Sequence, residues 1–146
     1  KGMDSLRVLG PNRSVWRNLT GSGNETAGHL AQINRMTLMW CGFEARPMIL
    51  RTYGAAHTLH PRHDGFAALN ALFPANDGAR QIYDVTVDLV QTSCGYAVPF
   101  YDYAGERDVL ADWTRDKGPD GSGTYWRARN HATIDGAPTL ILAEPE

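Results

Sequence analysis

Residues Ile82–Val90 (IYDVTVDLV) alternate between apolar and polar side chains, and this alternation constrains the fold more than any other feature of the sequence. A period of two places alternate side chains on opposite faces, so the segment predicts a half-buried β-strand. Four more apolar runs indicate strands: Met3–Leu9, Arg13–Leu19, Arg35–Cys41 and Met48–Leu59. Short turns join them in two pairs, the first through Gly10-Pro11-Asn12. Neighbouring strands with short turns favour an antiparallel sheet or barrel, so we expect a mainly β or α+β protein.

Helical periodicity appears between and after these strands. Helices are predicted from about Asn24 to Ile33, from Asp64 to Phe73 and from Glu106 to about Lys117, and Pro119 opens a further one that reaches His131. Gly54, inside a predicted strand, indicates a bulge or a bend. The order of elements predicts one domain over residues 1–146 with a helical C-terminal tail.

Composition narrows the class of protein. With 146 residues, 42% hydrophobic and 21% charged, the chain has the profile of one globular domain. A net charge of −2 gives no electrostatic argument for nucleic acid, and no apolar run approaches the ~20 residues of a membrane helix. Cys41 and Cys94 form no metal-binding pair, which favours a reducing, cytoplasmic setting.

The segment Thr20–Thr26 (TGSGNET) is the strongest candidate for binding chemistry. A strand ends there, two glycines allow a tight turn, and a helix begins, so free N–H groups and the helix dipole favour a phosphate. The hydroxyls of Ser22 and Thr26 and the amide of Asn24 add polar groups. The alternative is a capping box in which Ser22 and Glu25 only satisfy the first turn of the helix.

Other candidates are weaker, and each has a structural alternative. Arg51 interrupts an apolar strand, and it either lies at a sheet edge or reaches an acceptor. Gln91–Tyr96 places small polar groups before the aromatic run Phe100–Tyr103, which suits either a flat heterocycle or a turn with aromatic packing.

Three histidines precede the second predicted helix. His57, His60 and His63, with Asp64, match no zinc pattern closely, so surface histidines are expected there rather than a metal site. Cys94 has no neighbouring base in the sequence, and no sequence pattern identifies a catalytic residue.

The motifs together resemble those of the pyridoxamine 5'-phosphate oxidase family. Three segments carry the resemblance: Ser14–Ala27, Arg35–Met39 and Ile49–Gly54. The tail, from Gln91–Tyr96 through Gly105–Asp108 to Asn130 and Ile134–Gly136, is similar to a subgroup of oxidase-related proteins. The resemblance covers nearly the whole chain. It also leads us to expect that a helix and a strand precede Lys1 in the natural protein.

The resemblance implies an antiparallel split β-barrel that binds FMN at the interface of a homodimer. Its phosphate would be surrounded by Lys1, Arg7, Ser22, Asn24 and Thr26. Its ring and ribityl chain would meet Asn18, Arg51, Gln91 and Ser93. The implied function is an FMN-dependent oxidoreductase acting on a small molecule; the alternative is a module that binds flavin, deazaflavin or haem without turnover.

The sequence departs from the family at two places. Where the oxidases carry a basic pair that grips the phosphate, this chain has Glu25 and Thr26. The C-terminal segment that binds pyridoxal phosphate in the oxidases has no counterpart here. Because of the first departure, Lys1, Arg7 and the backbone would have to hold the phosphate instead.

Overall fold

The computed structural model describes residues 2–142, which fold into five strands and three helices. The strands are β1 (Leu6–Gly10), β2 (Arg13–Leu19), β3 (Met36–Cys41), β4 (Ile49–Leu59) and β5 (Ala79–Ser93). The helices are α1 (Glu25–Gln32), α2 (Phe66–Asn70) and α3 (Val109–Arg129). No helix in this part of the chain is long and apolar enough to cross a bilayer.

The strands form one antiparallel sheet in the order β1-β2-β5-β4-β3. The sheet is not closed, which is consistent with a split barrel, and the predicted mainly β, α+β class is confirmed. β5 is the central strand and has 15 residues, six more than its alternating segment predicted. It pairs with β2 through its first half and with β4 along almost its whole length.

Gly54 marks a β-bulge, as its position in the sequence predicted. The register between β4 and β5 shifts between Tyr53 and Gly54. A Cβ atom at Gly54 would lie 1.9 Å from the carbonyl oxygen of Thr86, so only glycine fits this close approach of two backbones.

Apolar side chains cover both faces of the sheet near its middle. On one face α2 packs against the cluster Val15, Leu59, Phe66, Phe73 and Ile82. On the other, α1 contributes Leu30 to the cluster Leu30, Met36, Ala56, Tyr83 and Val85. The rings of Trp16 and Tyr83 stack there with centroids 5.1 Å apart. Burial on both faces is confined to the first half of β5, because every residue from Asp88 to Ser93 is exposed.

Two predicted helices differ in extent from the observed ones. α2 is only five residues long, and its cap, Gly65, has a φ of 84°. α3 begins at Val109 rather than at Glu106, and Gly118 inside it has the non-helical angles φ 63° and ψ −179°. Because Pro119 follows, the element consists of two helices across a kink, and the predicted break is confirmed.

His60 corrects the expectation that the histidines before α2 are all at the surface. Its side chain is 2% exposed, and its Nδ1 has no hydrogen-bond partner within residues 2–142. Burial, helped by the positive charge of Arg62, lowers the pKa of His60 to about 4. The imidazole is therefore neutral in the folded protein near pH 7 and belongs to the interior.

We expect the folded state to lose stability as the pH falls from about 6.5 to 4. In this window an unfolded chain binds a proton on His60 and the folded chain does not, so the free energy of unfolding decreases by up to about 3 kcal/mol. Urea unfolding across this pH range measures the change. His60→Leu should remove most of the slope, and His57→Gln, at an exposed histidine, should keep it. An unchanged slope in His60→Leu would contradict the assignment.

Candidate functional site

A cavity of about 750 Å³ opens beside the start of α1. Its walls come from the end of β2, the turn before α1, the start of β5 and the segment that follows α3. The lining residues are Asn18, Ser22, Gly23, Asn24, Glu25, Thr26, Arg80, Tyr83, Ala128, Arg129, His131, Ala132, Thr133 and Ile134. Its volume lies in the ordinary range of small-molecule sites.

A buried arginine forms the floor of this cavity. The side chain of Arg80 is 3% exposed, and it donates hydrogen bonds to neutral oxygens only. Nε and Nη2 reach Asn18 Oδ1 at 3.1 and 2.5 Å, and Nη1 reaches the Gly23 carbonyl at 3.0 Å and Asn130 Oδ1 at 2.8 Å. Burial lowers the pKa of Arg80 to about 10, so the guanidinium still carries its charge at neutral pH.

The charge of Arg80 is not neutralised by an acidic side chain. The ion pairs within residues 2–142 join Arg7 to Asp4, Arg13 to Asp84 and Arg115 to Asp112, and none includes Arg80. A buried cation with only amide and carbonyl partners leaves a net positive potential in its surroundings. The floor of the cavity is therefore suited to an anion.

A network of amides connects Arg80 to the elements around it. Gln81 Nε2 donates to Asn24 Oδ1 at 2.6 Å and to Tyr83 Oη at 2.5 Å. Asn130 Nδ2 donates to the Gly21 carbonyl at 2.9 Å. Asn24, Gln81 and Asn130 are each at most 2% exposed. The network joins the turn before α1 to β5 and to the end of α3, and these buried hydrogen bonds restrict the movement of the cavity wall.

The turn itself offers free donors. α1 begins at Glu25 with Asn24 as its N-cap, and the Asn24 side chain makes no capping hydrogen bond. The backbone N–H groups of residues 22–26 donate to no group that the structure describes. Unpaired N–H groups at a helix start attract anions, and Ser22 and Thr26 add two hydroxyls beside them.

Glu25 corrects the capping-box alternative. Its Oε2 accepts a hydrogen bond from the backbone N–H of Ile134 at 3.0 Å, and its Oε1 lies beside Gly23 without a hydrogen bond to the N–H groups of the turn. The carboxylate is thus held by the segment after α3. Its negative charge remains at the edge of the cavity, because Glu25 is one of the lining residues.

Four of the predicted binding residues, Asn18, Ser22, Asn24 and Thr26, line the cavity. Arg7 does not. Its guanidinium lies 2.6 Å from Asp4, and it stacks over the ring of Phe73 at 4.6 Å on the side of the sheet that α2 covers. Lys1 lies outside the described residues.

The structure places Arg51, Gln91 and Ser93 together, but far from this cavity. Arg51 Nη1 donates to Ser93 Oγ at 3.1 Å, and Tyr53 Oη donates to Gln91 Oε1 at 3.0 Å. Gln91 is ten residues further along β5 than Gln81, a distance of about 33 Å in an extended strand. One chain therefore does not bring the two predicted groups into contact.

Three residues that build the cavity floor were not predicted from the sequence, namely Arg80, Gln81 and Asn130. The strand was predicted to begin at Ile82, which left Arg80 and Gln81 in a loop. The available signal was a charged and an amide residue directly before the most apolar strand of the chain. Asn130 follows α3 at a point where the sequence gives no indication of a long-range contact.

The fold and the cavity define an open antiparallel sheet protein with an anion-suited site at a helix start. The chain is 35% identical to the pyridoxamine 5'-phosphate oxidase family protein ustO of Aspergillus flavus, over 95% of this chain and 62% of that protein. The chain thus spans less than two thirds of that relative's length. The predicted resemblance is confirmed: the chain is related to the pyridoxamine 5'-phosphate oxidase family. No family model and no solved structure matches it.

We expect Arg80→Lys to lower the free energy of unfolding by about 2 kcal/mol, because the single nitrogen of an ammonium group cannot reach all three oxygens that surround the planar guanidinium. Urea unfolding at pH 7 measures this change. Arg129→Lys, at an exposed residue of the same cavity, should alter the free energy by less than about 0.5 kcal/mol. Equal stabilities of Arg80→Lys and the unmodified protein would show that the network does not hold the turn.

Proposed function

We propose that this protein binds FMN and acts as an FMN-dependent oxidoreductase on a small molecule. The observation that carries the proposal is the helix start with unpaired N–H groups above the buried, uncompensated guanidinium of Arg80. The relationship to a protein named for the pyridoxamine 5'-phosphate oxidase family supports a flavin as the ligand.

The residues of the cavity fit the phosphate of FMN. The N–H groups of residues 22–26 and the hydroxyls of Ser22 and Thr26 supply donors, and Arg80 supplies charge from below. This arrangement replaces the basic pair that the family resemblance places at the helix start. Glu25 opposes a phosphate here: its Oε2 accepts from the Ile134 N–H, but its Oε1 lies beside Gly23 of the turn.

The chain's own residues would bind and orient the cofactor. A bound FMN supplies hydride and electron transfer at its ring system. Asn18 is fixed by two donors of Arg80, and this fixed position suits it to hold a polar edge of a ligand. Burial raises the pKa of Tyr83 well above its usual value, so its hydroxyl stays protonated near pH 7 and acts as a hydrogen-bonding group only.

The second group of predicted residues fits a homodimer with flavin at its interface. Beyond the covered part of the sheet, β3, β4 and β5 continue as a sheet extension (residues 37–41, 49–53 and 89–93) that carries Arg51, Gln91 and Ser93. Large apolar side chains around it are exposed, among them Met39 (57%), Leu89 (58%), Val90 (56%), Tyr96 (84%) and Phe100 (80%).

Exposed apolar area of this extent is typical of a protein contact surface. A second copy of the chain would cover the extension and could present its Arg51, Gln91 and Ser93 to the cavity of the first. The separation of the two polar groups along β5 then fits a dimer, because the residues at the far end of β5 in one chain would complete the cavity of the other.

The test of the cofactor is a comparison of FMN with riboflavin, which lacks the phosphate. We expect purified protein to retain the visible flavin absorption after FMN is added and free FMN is removed. Thr26→Glu should weaken FMN binding at least about tenfold, since a carboxylate beside the turn repels the phosphate. Riboflavin binding should change much less. Thr124→Glu, on the exposed surface of α3, serves as the matched control.

Two outcomes would contradict the proposal. Failure to retain FMN in the unmodified protein removes the flavin function. Equal weakening of FMN and riboflavin by Thr26→Glu shows that the phosphate lies elsewhere. Reduction of the bound flavin by a nicotinamide donor, followed by reoxidation, would distinguish an oxidoreductase from a module that only binds the pigment.

The test of the dimer is a charge placed on the sheet extension. We expect Leu89→Lys to shift the protein from dimer to monomer in sedimentation velocity, because a buried lysine without a partner opposes association. Val109→Lys, at a residue 72% exposed outside the extension, should leave the dimer intact. A monomeric unmodified protein, or a dimer that tolerates Leu89→Lys, would contradict this interface.

A further inference from the structure

Three side chains of metal-ligating types converge at the edge of the cavity, where α1 leaves the turn Thr20–Thr26. Glu25 and His29 are four residues apart and therefore lie on one face of α1. Asp135 comes from the turn that follows α3. One ligand atom from each of the three side chains lies within 4.8 Å of the other two. The group thus combines an imidazole with two carboxylates from two separate segments.

The segment that carries Asp135 is a tight turn with fixed geometry. The Thr133 N–H donates to the Ala137 carbonyl at 2.9 Å, and the Ala137 N–H donates to Thr133 Oγ1 at 2.8 Å. Gly136 has a φ of 87°, a backbone conformation that favours glycine and that the turn requires. Ala137 is buried, so the turn is anchored to the body of the protein.

Hydrogen bonds outside the cluster orient both carboxylates. The Ile134 N–H donates to Glu25 Oε2, and the Thr133 hydroxyl donates to Asp135 Oδ1. Besides the Thr133 hydroxyl, the backbone N–H groups of Asp135 and Ala137 interact with the Asp135 carboxylate. Outer hydrogen bonds of this kind position the ligands of protein-bound metals.

Within residues 2–142 no lysine or arginine neutralises the two carboxylates of the cluster. Neither Glu25 nor Asp135 belongs to an ion pair with a lysine, arginine or histidine side chain, and His29 donates no hydrogen bond to either carboxylate. His29 lies close enough to attract Asp135 electrostatically, but one imidazole cannot balance the charges of two carboxylates. A cation between them would remove the repulsion of the two carboxylates.

We propose that Glu25, His29 and Asp135 bind one divalent transition-metal cation, such as Zn²⁺. An imidazole nitrogen with two carboxylate oxygens is a donor set of Zn²⁺ and its neighbours, whereas Mg²⁺ and Ca²⁺ prefer oxygen ligands throughout. Small rotations of these side chains would bring the donors to the ~2.0–2.2 Å of zinc bonds. Solvent or a ligand in the adjoining cavity would complete the coordination.

The site goes beyond the proposed flavin function and does not rest on it. It has one consequence for the cavity, because Glu25 belongs to both. A cation bound to Glu25 would cancel the negative charge at the edge of the anion-suited floor.

Titration of the untagged, flavin-free protein with Zn²⁺ alone, followed by calorimetry, tests the site. We expect one Zn²⁺ per chain, and no competition from a large excess of Mg²⁺. His29→Ala and Asp135→Asn should each weaken binding at least about tenfold. Asp135→Asn keeps an acceptor for Thr133, so the turn should stay folded. His57→Ala removes an exposed histidine on β4 and is the matched control.

Co²⁺ provides a second readout, because its visible spectrum reports ligand geometry. Protein-dependent absorption that is lost in His29→Ala and kept in His57→Ala would support the site. Absence of Zn²⁺ binding, or equal affinities in His29→Ala and the unmodified protein, would overturn it. Because no flavin is present, a failure here is distinct from a failure of FMN binding.

Discussion

The buried guanidinium of Arg80 is the interaction on which the candidate site depends. It bonds to Asn18 at the end of β2, to the Gly23 carbonyl in the turn before α1 and to Asn130 after α3. Asn130 is more than 100 residues from the other two acceptors in the sequence, so the guanidinium joins the segment after α3 to the end of β2 and the turn that follows it. Because its partners are amides and carbonyls, the guanidinium organises the site and also keeps its positive charge available.

The position of Arg80 on β5 connects the site to the architecture. β5 is the central strand of the sheet, and its residues 82–86 lie between β2 and β4, whereas Arg80 and Gln81 precede the pairing with β4 and lie beside the end of β2. Its last residues lie in the exposed sheet extension with Arg51 and Ser93. One strand thus carries a polar cluster at each end, about 33 Å apart. Within one chain these two clusters are too far apart to bind one ligand together. In the proposed dimer, the cluster at the end of β5 in one chain would lie near the cluster at the start of β5 in the other.

The sequence predicted the elements whose pattern is local. The first hairpin, β3, β4 and the alternating part of β5 were confirmed, because a period of two follows directly from the pleat of a strand. The turn Thr20–Thr26 was placed correctly since glycines and a helix start are local signals. The prediction that His60 lies at the surface was wrong. Its burial depends on how α2 packs, which no short segment of sequence determines. The role of Arg80 was missed for the same reason, since its three acceptors come from other elements.

Glu25 illustrates how a residue type can mislead when its partner is remote. In the sequence it is an acid in a phosphate turn, or half of a capping box. In the structure the N–H of Ile134, 109 residues away, holds its carboxylate, and His29 and Asp135 lie beside it. The turn therefore needs no basic residue of its own. A surface lysine or arginine is mobile and screened by salt, whereas Arg80 is fixed and shielded from solvent. A single buried cation thus gives the turn a positive potential without a basic residue at the helix start, while the negative charge of Glu25 remains at the edge of the cavity.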